Sequence, residues 1–141
     1  MREIKASEIA VAVRDMCIQA NYTLSADMKK KFEESAEKET SPLGKQIFGQ
    51  LQENLKIAEE EQIPICQDTG MAVVFLKVGQ DVHVEGNLTE AVNEGVRRGY
   101  EEGYLRKSVV RDPIDRVNTG DNTPAVIHFE IVPGDQVEIT V

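Results

Sequence analysis

Tryptophan is absent from the sequence, and cysteine and histidine occur only twice each. The two cysteines, Cys17 and Cys66, do not form a disulfide framework; in a reducing compartment each is expected as a free thiol. No Cys-x-x-Cys pair occurs. With only Cys17, Cys66, His83 and His128 to draw on, four ligands at workable spacing are lacking, so a closed zinc site within the chain is not expected. Positive charge is also scarce. Sixteen Lys and Arg stand against 25 Asp and Glu, a net charge of −9. That balance argues against a general nucleic-acid binder, which needs a basic face for phosphates, and against docking on anionic lipid. No apolar run approaches the ~20 residues of a membrane-spanning helix, and Met1-Arg2-Glu3-Ile4-Lys5 leads into no signal-peptide core. A cytoplasmic location is expected. Low-complexity tracts are missing too. With 40% hydrophobic residues over 141 positions, what remains is enough for a packed core in a single domain spanning 1–141.

The first half reads as helix. Ser7 can cap a helix whose Ile9, Val13, Met16 and Ala20 line one face. Cys17 lies beside that stripe and is expected as a small buried hydrophobe. Ser25 can cap a second helix, with Met28, Phe32 and Ala36 on one side and a solvated charged face opposite. Ser41-Pro42 is a strong start signal, a capping hydroxyl followed by proline at the first helical position. Leu43, Ile47, Leu51, Leu55 and Ala58 then form the most regular apolar stripe in the sequence. That helix should end near Glu61-Gln62, because Ile63 precedes Pro64.

After Pro64 the texture changes. Met71 to Val78 reads as a buried strand, Gly79-Gln80-Asp81 as a turn, and Val82-His83-Val84 as a short strand. Asn87 and Glu90 resemble a capping box opening a further helix to about Glu102, with Gly103 placed to end it in a left-handed turn. Ala125–Val132 and Gln136–Val141 read as strands joined at Pro133-Gly134-Asp135 by a hairpin or tight turn. The expected class is α+β: about three N-terminal helices, then a small β-sheet with one further helix.

Two segments concentrate chemistry. Cys66-Gln67-Asp68 sets a thiol, an amide and a carboxylate in consecutive positions of a loop between a helix end and a strand, with Gly70 permitting an unusual turn. A plain turn with a buried Cys66 is the competing reading. Arg106 to Pro124 carries Arg106, Lys107, Arg111 and Arg116 and the polar run Asn118-Thr119-Gly120-Asp121-Asn122. Long loops of this kind are usually functional or disordered, and local positive charge in an acidic protein would focus a small anion such as a dicarboxylate. The competing reading is a surface loop whose arginines pair with Asp112, Asp115 and Asp121. His128 is expected to be a strand histidine packed in place. Asp68-Thr69-Gly70 also matches the triplet of aspartic proteases, but that fold is almost entirely β and the helices here exclude it.

Taken together, Pro64-Ile65-Cys66-Gln67-Asp68-Thr69-Gly70 and Arg116-Val117-Asn118-Thr119-Gly120-Asp121-Asn122-Thr123-Pro124-Ala125-Val126-Ile127-His128, followed by Val132-Pro133-Gly134-Asp135, resemble the class I iron–sulfur fumarate hydratases and the related L-tartrate dehydratases. The likeness is to the N-terminal part of their α subunit or α region. It implies a hydro-lyase that converts fumarate to L-malate, a reaction of the tricarboxylic acid cycle, or dehydrates a related hydroxy dicarboxylate such as tartrate. It also implies a 4Fe-4S cluster held by three cysteines, with one open iron acting as Lewis acid on the substrate.

By this resemblance Cys66 matches the first cluster cysteine. Gln67 and Asp68 match substrate-contacting positions, Asp68 with a part in proton transfer at the hydroxyl. Arg106 matches an arginine that grips a substrate carboxylate. The other two cluster cysteines belong further along in the family, as does the β subunit or C-terminal domain. The chain is therefore expected to be a fragment of a larger α subunit, inactive and unable to hold a stable cluster alone, and a component of an oligomeric enzyme. A non-catalytic assembly or binding module on the same fold is the alternative.

Overall fold

A computed structural model of the chain describes residues 1–66 and 70–141. The element order is β1 (Arg2–Lys5), α1 (Ala6–Tyr22), α2 (Ala26–Lys38), α3 (Pro42–Glu61), β2 (Val73–Gly79), β3 (Val82–Glu85), α4 (Leu88–Glu102), β4 (Val126–Val132) and β5 (Val137–Thr140). This is the α+β class read from the sequence, with one addition ahead of the helices. β1 pairs in parallel with β3, Ile4 opposite Val84. The chain divides into two compact units, residues 1–18 with 68–141, and residues 19–67.

In the first unit α1 begins at Ala6, so Ser7 lies inside the helix and does not cap it. The free amide at the entrance belongs to Lys5 and donates to the Glu8 carboxylate at 3.0 Å. β1 runs up to the helix start, which leaves no extended Ser7 to act as cap. The buried face of α1 is Ile9, Ala10, Val13 and Cys17; Ala20 is exposed. On α4, Ala91, Val92, Gly95, Val96, Gly99 and Tyr100 are buried at helical spacing. Two of these positions have no room for a side chain. A Cβ at Gly95 would come within 2.6 Å of the Ala10 carbonyl oxygen, and one at Gly99 within 2.8 Å of Cys17 Cβ. Glycine lets the two helix backbones touch, and Val13, Val92 and Val96 close around the contact with no exposure. Burying such side chains is worth ~1.5–3 kcal/mol each.

Asn87 caps α4 as expected, its Oδ1 accepting from the Glu90 amide at 3.0 Å. The far end differs from expectation. Gly103 has φ −87°, and the left-handed residue is Tyr104, at φ 52°. Glycine is needed at 103 for space, since a Cβ there would lie 2.8 Å from the Gly99 oxygen and 2.9 Å from Ile18. The turn swings Leu105 inward to 4% exposure, its amide bonded to the Tyr100 carbonyl.

The three-stranded sheet has the order β4-β2-β5. β4 runs parallel to β2 and β5 antiparallel to it, so of the hairpin or tight turn expected at Pro133-Gly134-Asp135 the hairpin does not form. Pro133-Gly134-Asp135 instead carries the chain over the end of β2. The amides of Gly79, Gln80 and Asp81 donate to the carbonyls of Gln136, Val132 and Gly134 at 2.8–2.9 Å. A Cβ on Gly79 would fall 2.2 Å from the Gly134 oxygen, which explains a glycine at the strand's end. Val74, Leu76 and Val78 of β2 are buried on one face, while Phe75 and Lys77 lie on the other.

In the second unit Ser41 caps α3, its hydroxyl accepting from the Gly44 amide at 3.3 Å, and Pro42 takes the first turn. Gln62, left-handed at φ 54°, closes the helix where Pro64 required it to stop. Ser25 precedes α2 in extended conformation, without a side-chain bond to the helix amides. α2 and α3 meet through Phe32 and Phe48, edge to face with centroids 6.3 Å apart, and through a Lys29–Glu59 ion pair. The regular stripe of α3 is largely uncovered. Leu43, Ile47 and Leu51 are 41–65% exposed, and Ala58 alone is buried.

Candidate active site

Cys66 follows Pro64 and Ile65 after the end of α3. Its thiol is exposed and free, so the competing reading of a buried Cys66 fails. Its backbone is held from two points in the same unit. The Ile65 amide donates to the Asn21 carbonyl at 2.9 Å, and the Cys66 amide to Asn54 Oδ1 at 3.0 Å. Cys17 is the opposite kind of thiol. It is buried between α1 and α4, and burial pushes it up to about 11, which keeps it protonated and unfit as a metal ligand. Gln67 and Asp68 lie outside the described residues.

The stretch from Arg106 to Pro124 contains neither helix nor strand, yet it is closely bonded. Arg106 leaves α4 directly after buried Leu105, with its side chain exposed. Val110 and Asn118 bridge the two arms of the loop; the Thr119 amide and hydroxyl both reach the Val109 carbonyl, and the Arg111 amide reaches Val117. Asp112 Oδ1 accepts from the amides of Ile114 and Asp115 at 2.8 and 2.9 Å, and these bonds pull its carboxyl below the usual range. Asn118 bonds the Gly120 amide and the Lys107 carbonyl. Of the aspartates that the competing reading pairs with the loop's arginines, Asp121 is paired outside the loop. Asp121 pairs with Arg97 of α4 at 3.0 Å. Burial raises the Asp121 carboxyl, but the Thr123 hydroxyl and amide and the Arg97 guanidinium outweigh that and hold it at about 2.

At the centre is Asn122, which has no solvent exposure and a left-handed backbone at φ 61°. Its Oδ1 accepts from the amides of Ser108 and Val109 at 2.6 and 3.0 Å, and its Nδ2 reaches toward the Gly70 carbonyl at 3.5 Å. Tyr100 of α4 is bonded to it as well. Burial raises the Tyr100 hydroxyl, as does the neighbouring Cys17, while the bond with Asn122 works the other way. One asparagine thus joins both ends of the loop to the residue that follows the Cys-Gln-Asp-Thr run. Gly70 and Met71 share an open cleft of about 440 Å³ with Ser108, Val109, Val110 and Pro113. Gly70 and the loop after α4, some forty residues apart in sequence, meet there. Sequence reading marked the Asn118–Asn122 run without singling out Asn122. Its signal was the pairing of Asn with a polar turn, the residue type that tolerates a left-handed backbone and bonds amides.

Among the described residues, no group of three His, Cys, Asp or Glu side chains converges to hold a metal ion. Cys66 is an available thiolate donor on a fixed backbone, and it fits one corner of a cluster. His128, a strand histidine as expected, is exposed and stacks on Phe75 with centroids 4.8 Å apart.

A polar, arginine-bearing loop beside a cleft on an α+β scaffold is the kind of place where small-molecule sites are built. The family follows from comparison. Residues 10–141 match the model of the fumarate hydratase (Fumerase) family, and the chain belongs to that family. A Methanocaldococcus jannaschii protein bearing the name of an L(+)-tartrate dehydratase subunit alpha is 37% identical over 139 residues, covering 94% of this chain and 48% of that protein. The L(+)-tartrate dehydratase subunit alpha of Escherichia coli K12 is 32% identical over 134 residues, 88% of this chain and 44% of its own length. The anaerobic class I fumarate hydratase of the same strain is 39% identical over 100 residues, 70% of this chain and 18% of that enzyme. The chain spans about half the length of the tartrate dehydratase subunits it matches. No helix among the described residues is long and apolar enough to cross a membrane.

Proposed function

We propose that this chain is the N-terminal part of the α subunit of a cytoplasmic hydro-lyase that reversibly hydrates fumarate to L-malate or dehydrates a related hydroxy dicarboxylate such as tartrate. The observation that carries this is the family match over 10–141, which includes both loop motifs. The remaining half of such a subunit, and a β subunit or C-terminal domain, complete the enzyme. Cys66 supplies one of three thiolates to a 4Fe-4S cluster; the other two come from outside these residues, since Cys17 is buried and protonated. When bound, the cluster supplies an open iron that serves as a Lewis acid.

The chain's own part is binding and proton handling. Adding water across a double bond next to a carboxylate needs cations for the developing charge and a group to move a proton at oxygen. Arg106, exposed at the start of the loop, presents a two-pronged clamp for one substrate carboxylate. Gln67 orients the substrate, and Asp68 holds or releases the proton at the hydroxyl.

The test uses the complete enzyme, reconstituted anaerobically, with iron content measured beside fumarate, malate and tartrate turnover. Cys66→Ser is expected to lose cluster iron and activity together. Arg106→Ala is expected to keep iron and lose roughly one to two orders of magnitude in kcat/KM, the loss of a charge-assisted bond worth ~1.5–3 kcal/mol. Asp68→Asn is expected to keep iron and lower kcat more than it raises KM. Full iron and normal turnover in Cys66→Ser would refute the assignment of Cys66 to the cluster; a complete protein that turns over none of the three acids would favour a binding module.

A further inference from the structure

The run Asn118-Thr119-Gly120-Asp121-Asn122 takes no part in the chemistry above, yet its polar groups converge on three residues. Asn118 Nδ2 donates to the Lys107 carbonyl at 3.1 Å. The Thr119 amide and hydroxyl donate to the Val109 carbonyl at 2.9 and 3.2 Å. Asn122 Oδ1 accepts from the amides of Ser108 and Val109 at 2.6 and 3.0 Å. Each of the three residues after Arg106 is therefore fixed through its backbone by this run. Ahead of Arg106, the Leu105 amide is bonded to the Tyr100 carbonyl and the Leu105 side chain is buried. Arg106 stands between two fixed points, one residue from each.

The run is tied in turn to α4. Asp121 Oδ2 accepts from Arg97 at 3.0 Å, while its Oδ1 accepts from the Thr123 amide and hydroxyl at 3.0 and 2.7 Å. Further on, the Ala125 amide donates to Asn93 Oδ1 at 2.9 Å. From α4 through Leu105 and residues 107–109 to the run and back to α4, the bonds close a ring, and Arg106 lies on its rim. Asparagine suits position 122. Its Oδ1 has two lone pairs, one for each amide, and it tolerates the left-handed backbone at φ 61° found there. A long side chain on a loose backbone must lose that freedom when it grips a ligand, and a backbone fixed beforehand removes this part of the loss.

We propose that Asn118 and Asn122 are positioning residues, which fix the backbone after α4 so that the Arg106 guanidinium is set in advance for one substrate carboxylate. This rests on the hydro-lyase reading above, with Arg106 as its clamp. Residues that act only through Arg106 cannot cost more than Arg106 itself, and they cost nothing once it is removed.

A double-mutant cycle in the complete, anaerobically reconstituted enzyme tests this, with iron content, melting temperature and kcat/KM measured on fumarate, malate and tartrate. Asn118→Ala, at an exposed position, is expected to keep its iron and lose roughly three- to tenfold in kcat/KM. Asn122→Ala is expected to lose at least as much; Asn122→Asp, which keeps an acceptor for both amides, should recover most of it. In the Arg106→Ala background, Asn118→Ala is expected to change kcat/KM by less than about twofold. If the Asn122 variants do not fold, the Asn118 cycle decides alone. A normal kcat/KM in Asn118→Ala overturns the proposal. So do losses that multiply in the double variant, which is what a purely structural role gives. Either result, beside a damaging Arg106→Ala, leaves the hydro-lyase reading standing. An Arg106→Ala enzyme with unchanged kcat/KM, or a complete protein without turnover, overturns the clamp reading and the positioning role together.

Discussion

Replacing Asn122 tests how the loop that carries half of the site is held. The residue is fully buried, and two backbone amides, those of Ser108 and Val109, depend on its Oδ1. Asn122→Ala leaves both without an acceptor, at ~1–3 kcal/mol each. It also puts a β-carbon residue at φ 61° without the local bonding that suits asparagine there, adding ~1 kcal/mol. The contact to the Gly70 carbonyl, at 3.5 Å, adds little. The expected loss is ~3–7 kcal/mol, a large share of the ~5–15 kcal/mol that holds a typical domain. Asn122→Gly separates the two causes. It removes the backbone penalty but not the orphaned amides, and should recover about 1 kcal/mol relative to alanine. Urea unfolding followed by circular dichroism gives the energies, and amide hydrogen exchange at Ser108 and Val109 reports the bonds themselves. A loss below about 1 kcal/mol with protection unchanged at those two amides would refute this account.

Gly95→Ala should destabilise by ~1–3 kcal/mol, because the new methyl meets the Ala10 carbonyl at 2.6 Å and the helices must part; Gly49→Ala, with nothing within 4 Å, should not, and thermal melts of the pair check this. Cys66 should alkylate well ahead of Cys17, which at pH 8 is only about 0.1% thiolate if it titrates near 11 and is buried besides; mass spectrometry of the labelled peptides reads the order. The Asp121 carboxyl, held at about 2 in the folded chain against ~3.9 unfolded, contributes stability that is present above pH ~4 and lost as the pH falls toward 2. Asp121→Asn should flatten that part of the stability–pH curve.

α3 and α4 were legible to their ends because each carried two independent signals. α3 had a cap, a first-turn proline and a pre-proline stop; α4 had its Asn87 cap and a stripe of small and apolar residues. What those signals do not encode is what a helix faces. The stripe of α3 is the most regular in the sequence and is mostly exposed, while the irregular Ala91-Val92-Gly95-Val96-Gly99 set is the buried one. β1 escaped notice because Arg-Glu-Ile-Lys has no alternation to read; its pairing with β3 is set by the fold. The hairpin reading of β4 and β5 failed because Pro-Gly-Asp specifies a turn but not which strand lies between its arms. Both candidate loops were visible as dense chemistry, and the contact of the second with Gly70 was not, since it rests on one buried side chain, Asn122, whose reach only the fold reveals.

The parallel pairing of β2 with β4 has a consequence for how the chain acquires its structure. β2 is the central strand, and both of its neighbours come from residues 126–140, some fifty to sixty positions later; β1 waits longer still for β3, Arg2 pairing with Val82. During synthesis at ~5–20 residues per second, α1 to α3 can form while emerging, but β2 must stay unpaired for several seconds. Its Val73-Val74-Phe75-Leu76 run is then a bare, strongly β-prone segment. The chain should therefore fold late, after a long search for distant partners. Agents that shield extended apolar segments should raise its soluble yield more than they raise its melting temperature.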